Sequence, residues 1–300
     1  MFKHIMVPLD GSRLAESVLP AALLLAQRFQ ARVTLVHVIE ERPPATIHGE
    51  RHLANVAEAE AYLDETAQRL RREGIQAETH VHSKEEDNVA RGIAEHLEEL
   101  GPDLIVISAH GSGGLRDTLI GSIAQQVLQR STRPILLVRP TAAGEPPPFA
   151  CRKLLLPLDG EAAHEAALPV AAAVAGACGS RVHLVQVVPT LGTLPGEEAA
   201  SGMLMPSATR ALLDLAQQGG EGYLSHIAEE LRAAGLSVSL EVCRGDPASE
   251  VVQAAERAGA DLVVMATHGR VAAGAFWAGS VAPKVFGRLN RPLLLVRVIP

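Results

Sequence analysis

Residues 104–122 read LIVISAHGSGGLRDTLIGS, and residues 262–280 read LVVMATHGRVAAGAFWAGS. Each stretch begins with a short apolar run, which is typical of a parallel strand that is buried on both faces. A His-Gly pair follows, and after nine further residues a Gly-Ser pair stands where a helix would begin. Glycine-rich backbone and the free amides of a helix N-terminus together favour a phosphate. The duplicated pattern therefore predicts two phosphate sites, one in each half of the chain.

The Gly-Ser pair has a simpler explanation as a helix cap. Ser122 is followed three residues later by Gln125, which is the spacing of a capping box, so we expect Ser122 to be the N-cap. A single Gly-Ser would indicate capping and nothing more. Its repetition at one spacing after an apolar strand favours an anion site.

A second repeat divides the chain. Residues 3–11 (KHIMVPLDG) match residues 152–160 (RKLLLPLDG) at an offset of 149, and residues 31–38 match 180–187 at the same offset. The glycines before the third strand, Gly74 and Gly235, differ by 161, so the second half has twelve extra residues there. We expect this insertion to form a flap over the site. The predicted domains are residues 1–140 and 151–300, joined by a stiff proline-containing linker at 141–150.

Apolar strand runs alternate with helical patterns in each half, which predicts an α/β fold with a parallel sheet of five strands. The third strands are expected near residues 77–82 and 238–243, and the fifth near 134–138 and 292–296. Residues 52–73 have the pattern of an amphipathic helix after a loop. The pattern at 208–234 predicts a helix that is interrupted by the glycines at 219, 220 and 222.

Composition and charge exclude several classes of protein. The formal net charge is −7, which provides no basic field for a nucleic acid. None of the four lysines follows a glycine, which excludes a Walker A loop. The three cysteines are far apart, which argues against a disulfide framework and fits a reducing compartment. The first apolar run, residues 5–9, is too short for a membrane span. We therefore expect a soluble, cytoplasmic protein.

These motifs resemble those of the universal stress protein family, and the whole chain resembles a tandem, two-domain member. The family pattern is Gly, two residues, Gly, nine residues, Gly, then Ser or Thr, after the fourth strand. Here the first of these glycines is replaced by Ser108 and Ala266, and the rest is present in both halves. The resemblance implies a doubly wound, Rossmann-like fold of the adenine nucleotide alpha hydrolase type, with strand order 3-2-1-4-5. It also implies that the chain binds ATP, with Mg²⁺ or Mn²⁺ as the accompanying cation.

The resemblance assigns nucleotide-binding positions in both halves. The aspartate after the first strand, Asp10 or Asp159, is placed near the adenine and ribose, and the backbone of Val38 or Val187 faces the adenine edge. An equally good expectation for the two aspartates is that they cap the next helix. The candidate residues of the first half are Pro8, Asp10, Ser12, Val38, Ser108, His110, Gly111, Gly114, Gly121, Ser122 and Ile123. Those of the second half are Pro157, Asp159, Val187, Ala266, His268, Gly269, Arg270, Gly279, Ser280 and Val281.

The two sites are not equivalent. After the aspartate, the first half has Ser12, whose hydroxyl could donate to a phosphate, whereas the second half has Glu161, which would repel one. In favour of the second half, Gly245-Asp246-Pro247 follows its third strand, as is common in the family, and Arg270 could offset the extra negative charge. The comparison favours the first half as the triphosphate site and leaves both open.

Four histidines are candidates for catalysis or metal binding. His110 and His268 lie in loops without a partnered nucleophile or acid nearby in sequence, so a structural role is expected and no catalytic residue is assigned. His80 and His82 alternate onto one face of a strand, which suits a metal ion, but the sequence indicates no third ligand, and no metal site is assigned.

Three functional classes follow. The first is an ATP-binding stress-response or signalling module with little or slow hydrolysis. The second is a universal stress protein that no longer binds nucleotide and acts as a protein-interaction module, an alternative supported by Ser108 and Ala266. An adenylating enzyme is less favoured, because the chain lacks both a Ser-Gly-Gly-x-Asp-Ser loop and a His-x-Gly-His motif.

The fifth strands, residues 135–138 (ILLV) and 293–296 (LLLV), are apolar and uncharged edges that are expected to pair. The family resemblance implies that they pair with each other, antiparallel, as an intramolecular pseudo-dimer. A homo-oligomer would then use another surface, for instance the flap after Thr190.

Overall fold

The computed structural model describes residues 1–41, 46–47, 50–53, 55–86, 88–109, 121–141, 144–194, 196–268 and 281–298. The chain folds into two compact units, one made of residues 1–150 with residues 290–299 and the other of residues 151–289. In the part of the chain that is described, no helix combines the length and apolar character needed to cross a membrane.

The first unit alternates strands and helices. Its elements are β1 (His4–Pro8), α1 (Arg13–Glu16), α2 (Leu19–Phe29), β2 (Arg32–Glu40), β3 (Thr46–Ile47), β4 (Glu50–Arg51), α3 (Val56–Arg72), β5 (Ala77–Glu86), α4 (Val89–Leu100), β6 (Leu104–Ser108), α5 (Ser122–Arg130) and β7 (Ile135–Val138). The strands β5, β2, β1, β6 and β7 pair in this order and all run parallel. The predicted parallel fold and the strand order 3-2-1-4-5 are confirmed here.

The second unit has the same alternation. Its elements are β8 (Lys153–Pro157), a 3₁₀ helix (Ala162–Ala166), α6 (Ala167–Cys178), β9 (Arg181–Val188), α7 (Gly196–Leu204), α8 (Pro206–Ala233), β10 (Ser237–Arg244), α9 (Pro247–Ala258), β11 (Leu262–His268) and α10 (Val281–Arg288). The strands β10, β9, β8 and β11 pair in parallel in this order.

The last strand, β12 (Leu293–Val298), is grouped with the first unit. It pairs antiparallel with β7, so that Leu294 lies opposite Leu136 and Leu293 opposite Leu137. All four of these leucines are fully buried. The apolar edge of β7 is therefore covered by a strand.

The central strands of the first unit are buried, and their sequences are almost continuously apolar. Every residue of β1 and of β6 is buried, as expected for parallel strands that have helices on both faces. The helices α3 and α4, which pack on β5 and β2, begin at polar caps: the side chains of Asn55 and Asn88 accept hydrogen bonds from the backbone amides of Glu58 and Arg91. These caps fix where α3 and α4 start.

Two helix predictions need correction. The helix predicted for residues 52–73 begins only at Val56, and part of the segment before it forms the small antiparallel pair β3–β4 instead of a loop. The interruption predicted at 219–222 is absent, since α8 runs continuously through these glycines. Gly220 lets α8 approach β9 closely, because a Cβ at this position would lie 2.8 Å from Gln186 Oε1. The insertion thus forms α7 and lengthens α8, which packs on β9 and β10.

The predicted linker begins with a closed turn. The Thr141 amide donates to the Glu145 carbonyl at 2.9 Å, and the Glu145 amide donates to the Thr141 hydroxyl at 3.1 Å. These two bonds hold Thr141 and Glu145 close together.

Candidate functional site

A cavity of about 240 Å³ lies in the first unit at the carboxyl ends of its strands. It opens beside the neighbouring strands β1 and β6, where the chain order of the sheet reverses, which is the usual ligand position in open parallel sheets. It is lined by Pro8, Leu9, Asp10, Ala15, Val36, His37, Val38, Glu40, His52, Val89, Ile93, Ile107, Ser108, Gly121, Ser122, Ile123 and Ala124.

Seven of the residues assigned from the sequence meet in this cavity. They come from the ends of three strands and from the first turn of α5: Pro8, Asp10, Val38, Ser108, Gly121, Ser122 and Ile123. His110, Gly111 and Gly114 lie outside the described residues.

Ser12 is not among the residues that line the cavity. Its side chain is fully buried, donates to Asp10 Oδ1 at 2.7 Å and accepts from the Ala15 amide at 3.1 Å. Ser12, and not Asp10, is thus the N-cap of α1. The hydroxyl donor that we expected to face a phosphate is engaged with Asp10.

The Asp10 carboxylate is held on one side only. Oδ1 accepts from both the amide (2.9 Å) and the hydroxyl (2.7 Å) of Ser12, while no hydrogen bond or ion pair from a described residue reaches Oδ2. Gly11 makes this turn possible, since its φ is +89° and a Cβ there would lie 2.9 Å from Leu53 Cδ1. One carboxylate oxygen therefore remains available in the wall of the cavity.

The start of α5 forms the opposite wall. Gly121 is the N-cap and Ser122 is the first helical residue, without a side-chain capping bond, so the predicted capping role of Ser122 is wrong. The first backbone bond of the helix runs from the Gln125 amide to the Gly121 carbonyl at 2.9 Å. The amides of residues 122–124 precede it and so lack carbonyl partners within the helix. Their positive partial charge favours an anion here.

His37 contributes a buried hydrogen-bond acceptor. Its Nδ1 lies 2.8 Å from the Leu9 carbonyl, so Nδ1 carries the proton that it donates. Burial lowers the pKa of His37, and the nearby His52 acts in the same direction. The ring is therefore neutral at pH 7, and Nε2, which is buried without a partner among the described residues, is an acceptor.

His52 also has one ring nitrogen in a hydrogen bond and one without a partner among the described residues. Its side chain is 1% exposed, and Nε2 lies 3.1 Å from Glu40 Oε1, to which it donates a hydrogen bond. Nδ1 is likewise buried without a described partner. The rings of His37 and His52 are 6.4 Å apart. Two buried ring nitrogens that lack a partner among the described residues thus belong to the same cavity.

Sequence reasoning missed both histidines. A signal for His37 was present, because a polar residue interrupts an apolar strand at this position in both repeats, where the second copy has Gln186. His52 had no such signal, since it lies in the irregular segment before α3.

The equivalent aspartate of the second unit has a different environment. Asp159 Oδ1 accepts from the Glu161 amide at 3.0 Å, and Oδ2 lies 2.5 Å from His164 Nδ1. Its side chain is 52% exposed. Both oxygens of Asp159 are therefore engaged, in contrast to those of Asp10. Like Asp10, Asp159 does not cap the helix that follows it, since Glu161 is the residue before the 3₁₀ helix.

The remaining assigned residues of the second unit lie at strand ends and at a helix start. Pro157 ends β8, Val187 lies in β9, Ala266 and His268 lie in β11, and Val281 begins α10. Gly269, Arg270, Gly279 and Ser280, together with the side chain of His268, lie outside the described residues. Next to Val187, Gln186 packs against Gly220 of α8, and its Oε1 is buried without a described partner.

Comparison with known proteins gives a consistent result for both halves. The model of the universal stress protein family matches residues 1–139 and again residues 150–297. The universal stress protein YxiE of Bacillus subtilis is 31% identical over 151 residues, which are 46% of this chain and 100% of that protein. Universal stress protein MJ0577 of Methanocaldococcus jannaschii is 28% identical over 155 residues, again 46% of this chain and 96% of that protein.

A solved structure extends the likeness of fold to the whole chain. A universal stress protein from Archaeoglobus fulgidus superposes with a TM-score of 0.71 at 18% identity, covering 99% of this chain and 98% of that one. The two matches to the family model cover almost the entire sequence and coincide with its two internal repeats. The chain therefore belongs to the universal stress protein family and carries two of its domains in tandem.

Proposed function

We propose that the first unit binds ATP and that the protein acts as a nucleotide-dependent module of the stress response. The observation that carries this proposal is the cavity at the ends of β1, β2 and β6. It brings together seven residues that were assigned from sequence and two histidines with buried nitrogens that lack a partner among the described residues. Unsatisfied buried polar atoms cost about 1–3 kcal/mol each, and a ligand with matching donors removes that cost.

The adenosine part of ATP has the donors that these groups need. The adenine amino group and the ribose hydroxyls can donate to His37 Nε2 and Asp10 Oδ2, and His52 Nδ1 is a further buried polar atom of the same cavity. The apolar walls, which include Val38, Ile93 and Ile107, suit the faces of a flat base. Donors on the ligand and acceptors on the protein are thus complementary.

The phosphates would lie at the N-terminus of α5. The amides of Ser122 and Ile123 are part of the cavity wall and lack partners within the helix. A divalent cation, Mg²⁺ or Mn²⁺, would accompany the phosphates and offset their charge.

The first unit is the preferred site of the two. Asp10 offers a free carboxylate oxygen to the cavity, whereas both oxygens of Asp159 are taken by Glu161 and His164. In the second unit, α8 lies against Gln186, the residue next to the Val187 backbone that would meet the base. Both features weaken the case for the same ligand there.

Hydrolysis is expected to be slow. Phosphoryl transfer relies on cationic groups that stabilise the developing charge. The described residues that line the cavity include no lysine or arginine. Bound nucleotide would then persist long enough to set a conformation or to select a partner.

Calorimetry on the full chain tests the proposal. ATP with Mg²⁺ or Mn²⁺ should bind to the wild-type protein. Gly121→Asp should abolish binding in the first unit, because its carboxylate would occupy the space of a phosphate. Gly279→Asp is the matched control in the second unit. Absence of heat at millimolar ATP would contradict the proposal.

The alternative is a module that binds a protein partner and no nucleotide. It is favoured by one observation: Ser108 and Ala266 replace a glycine of the family pattern, and Ser108 lies in the wall of the cavity. A side chain at this position narrows the approach of a ribose to the strand backbone. The same calorimetric experiment separates the two functions.

We also propose that the pairing of β7 with β12 represents the family dimer contact within one chain. The pairing is antiparallel and is made by the fifth strand of each repeat. A Leu136→Cys, Leu294→Cys double variant should form an intramolecular crosslink with a short bifunctional reagent. Crosslinked dimers of two chains would contradict the proposal, and a homo-oligomer would then share this edge.

A further inference from the structure

A cluster of three histidines and one glutamate lies where α4 packs on the edge strand β5. His80 and His82 project from the same face of β5, as their spacing of two requires. His96 and Glu99 lie three residues apart on α4 and therefore on the same side of that helix. The two ligand groups that could not be identified from the sequence, His96 and Glu99, are supplied by a different element. None of the four residues lines the cavity described above.

The geometry of the cluster is close to that of a metal site. One ligand atom each from His80, His96 and Glu99 can be chosen so that all three lie within 4.8 Å of one another. The His96 Nδ1 and Glu99 Oε2 atoms are 2.9 Å apart, and the rings of His80 and His96 are 4.4 Å apart at 70°. In a tetrahedral zinc site with bonds of about 2.1 Å, the ligand atoms are about 3.4 Å apart.

Small side-chain rotations are enough to reach that geometry. The side chain of Glu99 is 60% exposed and can turn toward the ion, while that of His96 is held at 3% exposure. Among the described residues, no hydrogen bond engages either ring nitrogen of His80, which is half-buried. Each of the three ligands is therefore either well placed or free to adjust.

His82 orients the ring of His96 through a hydrogen bond. His82 Nδ1 lies 2.9 Å from His96 Nε2, and the two rings are 4.8 Å apart. Because Nε2 of His96 is occupied by this bond, its Nδ1 is the nitrogen that faces Glu99. Metal-binding histidines typically have their second nitrogen hydrogen-bonded in this way, which fixes the tautomer and the ring orientation.

We propose that His80, His96 and Glu99 bind a Zn²⁺-type divalent transition-metal ion, with His82 as a positioning residue. Two imidazoles and one carboxylate suit Zn²⁺ and its neighbours in the periodic table, whereas Mg²⁺ and Ca²⁺ prefer oxygen ligands alone. Three protein ligands leave one coordination position for water or an external ligand. The ion would link the edge strand β5 to α4, a helix whose Val89 and Ile93 also line the cavity.

Zinc titration of the untagged full chain, stripped with a chelator, provides the test. A chromophoric chelator that competes for Zn²⁺ should report about one tight site per chain. Glu99→Gln and His80→Gln should each weaken the affinity by about 100-fold or more, since loss of a second-layer partner alone costs about 10–100-fold. His82→Phe should produce the smaller loss, and Mg²⁺ should not displace the zinc.

His226→Gln is the matched control. His226 and Glu230 form another histidine–carboxylate pair on one helix face, 3.5 Å apart, but His226 is 70% exposed and no third ligand joins the pair among the described residues. This variant should bind zinc like wild type. Thermal unfolding of each variant without metal checks that its fold is intact. Added Zn²⁺ should raise the melting temperature of the wild-type protein but not that of the folded His80→Gln protein.

Several outcomes would overturn the proposal. Wild type could bind no zinc more tightly than free surface histidines do, which would make the cluster a packed hydrogen-bonded group. Unchanged affinity in both folded variants, Glu99→Gln and His80→Gln, or an equal loss in His226→Gln, would place the zinc elsewhere. Displacement by Mg²⁺ would contradict the assigned ligand chemistry.

Discussion

Replacement of His37 by phenylalanine separates ligand binding from fold stability. In the folded protein, His37 makes one hydrogen bond, from Nδ1 to the Leu9 carbonyl, and leaves Nε2 buried without a described partner. Phenylalanine fills nearly the same space and has neither nitrogen. The variant therefore removes Nε2, which is both the acceptor that we assign to the nucleotide and the atom whose burial without a described partner is costly in the unliganded protein.

The two effects differ in magnitude. A ligand donor that becomes buried without a partner loses about 1–3 kcal/mol, which corresponds to ATP binding that is about 5–150-fold weaker. For folding, loss of the bond to Leu9 costs about 0.5–1.5 kcal/mol, while removal of the orphaned nitrogen returns a similar amount. The free energy of unfolding should therefore change by no more than about 2 kcal/mol.

Calorimetric titration with ATP at fixed salt, combined with urea unfolding, measures both quantities. Gln186→Leu is the control, because it removes a buried unpartnered oxygen at the equivalent position of the second unit, and it should leave ATP affinity unchanged. Wild-type affinity in a folded His37→Phe protein would refute the assignment of the base to this cavity. A loss confined to Gln186→Leu would move the site to the second unit.

Four further predictions concern stability and turnover. Gly74→Ala should destabilise the protein by about 1–2 kcal/mol in urea unfolding, because φ is +82° at this position. Gly11→Ala should cost about 1–3 kcal/mol more, because its Cβ would also overlap Leu53 at 2.9 Å. Burial first, and then a neighbouring arginine, lower the pKa of His4, so the unfolded state binds its proton more readily. The free energy of unfolding should therefore decrease as the pH falls below about 6.5 and through the folded pKa. The decrease should be smaller in His4→Gln, and a difference in stability between wild type and this variant that does not change with pH would count against the prediction. Leu294→Ala, at a fully buried position of β12, should cost about 2–5 kcal/mol, whereas Leu215→Ala, 62% exposed, should change the free energy of unfolding by less than about 0.5 kcal/mol. Phosphate release from ATP should be far slower than the enzyme median of about 10 per second, and a rate near that value would reveal a catalytic group outside the described cavity wall.

The fold could be predicted because its signals are local and duplicated. The apolar runs at 104–108 and 262–266 and the matching PLDG segments at 8–11 and 157–160 fix strands and repeat length without any knowledge of contacts. The strand order could not be obtained from these patterns and came from the family resemblance. Periodicity identifies strands, but pairing is a tertiary property.

The errors have tertiary causes as well. Glycine propensity predicted a break in α8, yet the helix packs on β9 and β10 and runs unbroken through the glycines. Within the candidate sites, His52 and His96 could not be assigned, because each acquires its partners from a different element. Sequence spacing finds ligands on one strand or helix, and it does not find those that packing brings together.

The most direct test of the account is a crystal structure of the full chain grown with ATP and Mn²⁺. We predict nucleotide in the first unit, with the base between the carboxyl ends of β1 and β2, His37 Nε2 within hydrogen-bond distance of a ligand donor, and the phosphates at the N-terminus of α5. Nucleotide bound only to the second unit, or an empty first-unit cavity at saturating ATP, would contradict the account.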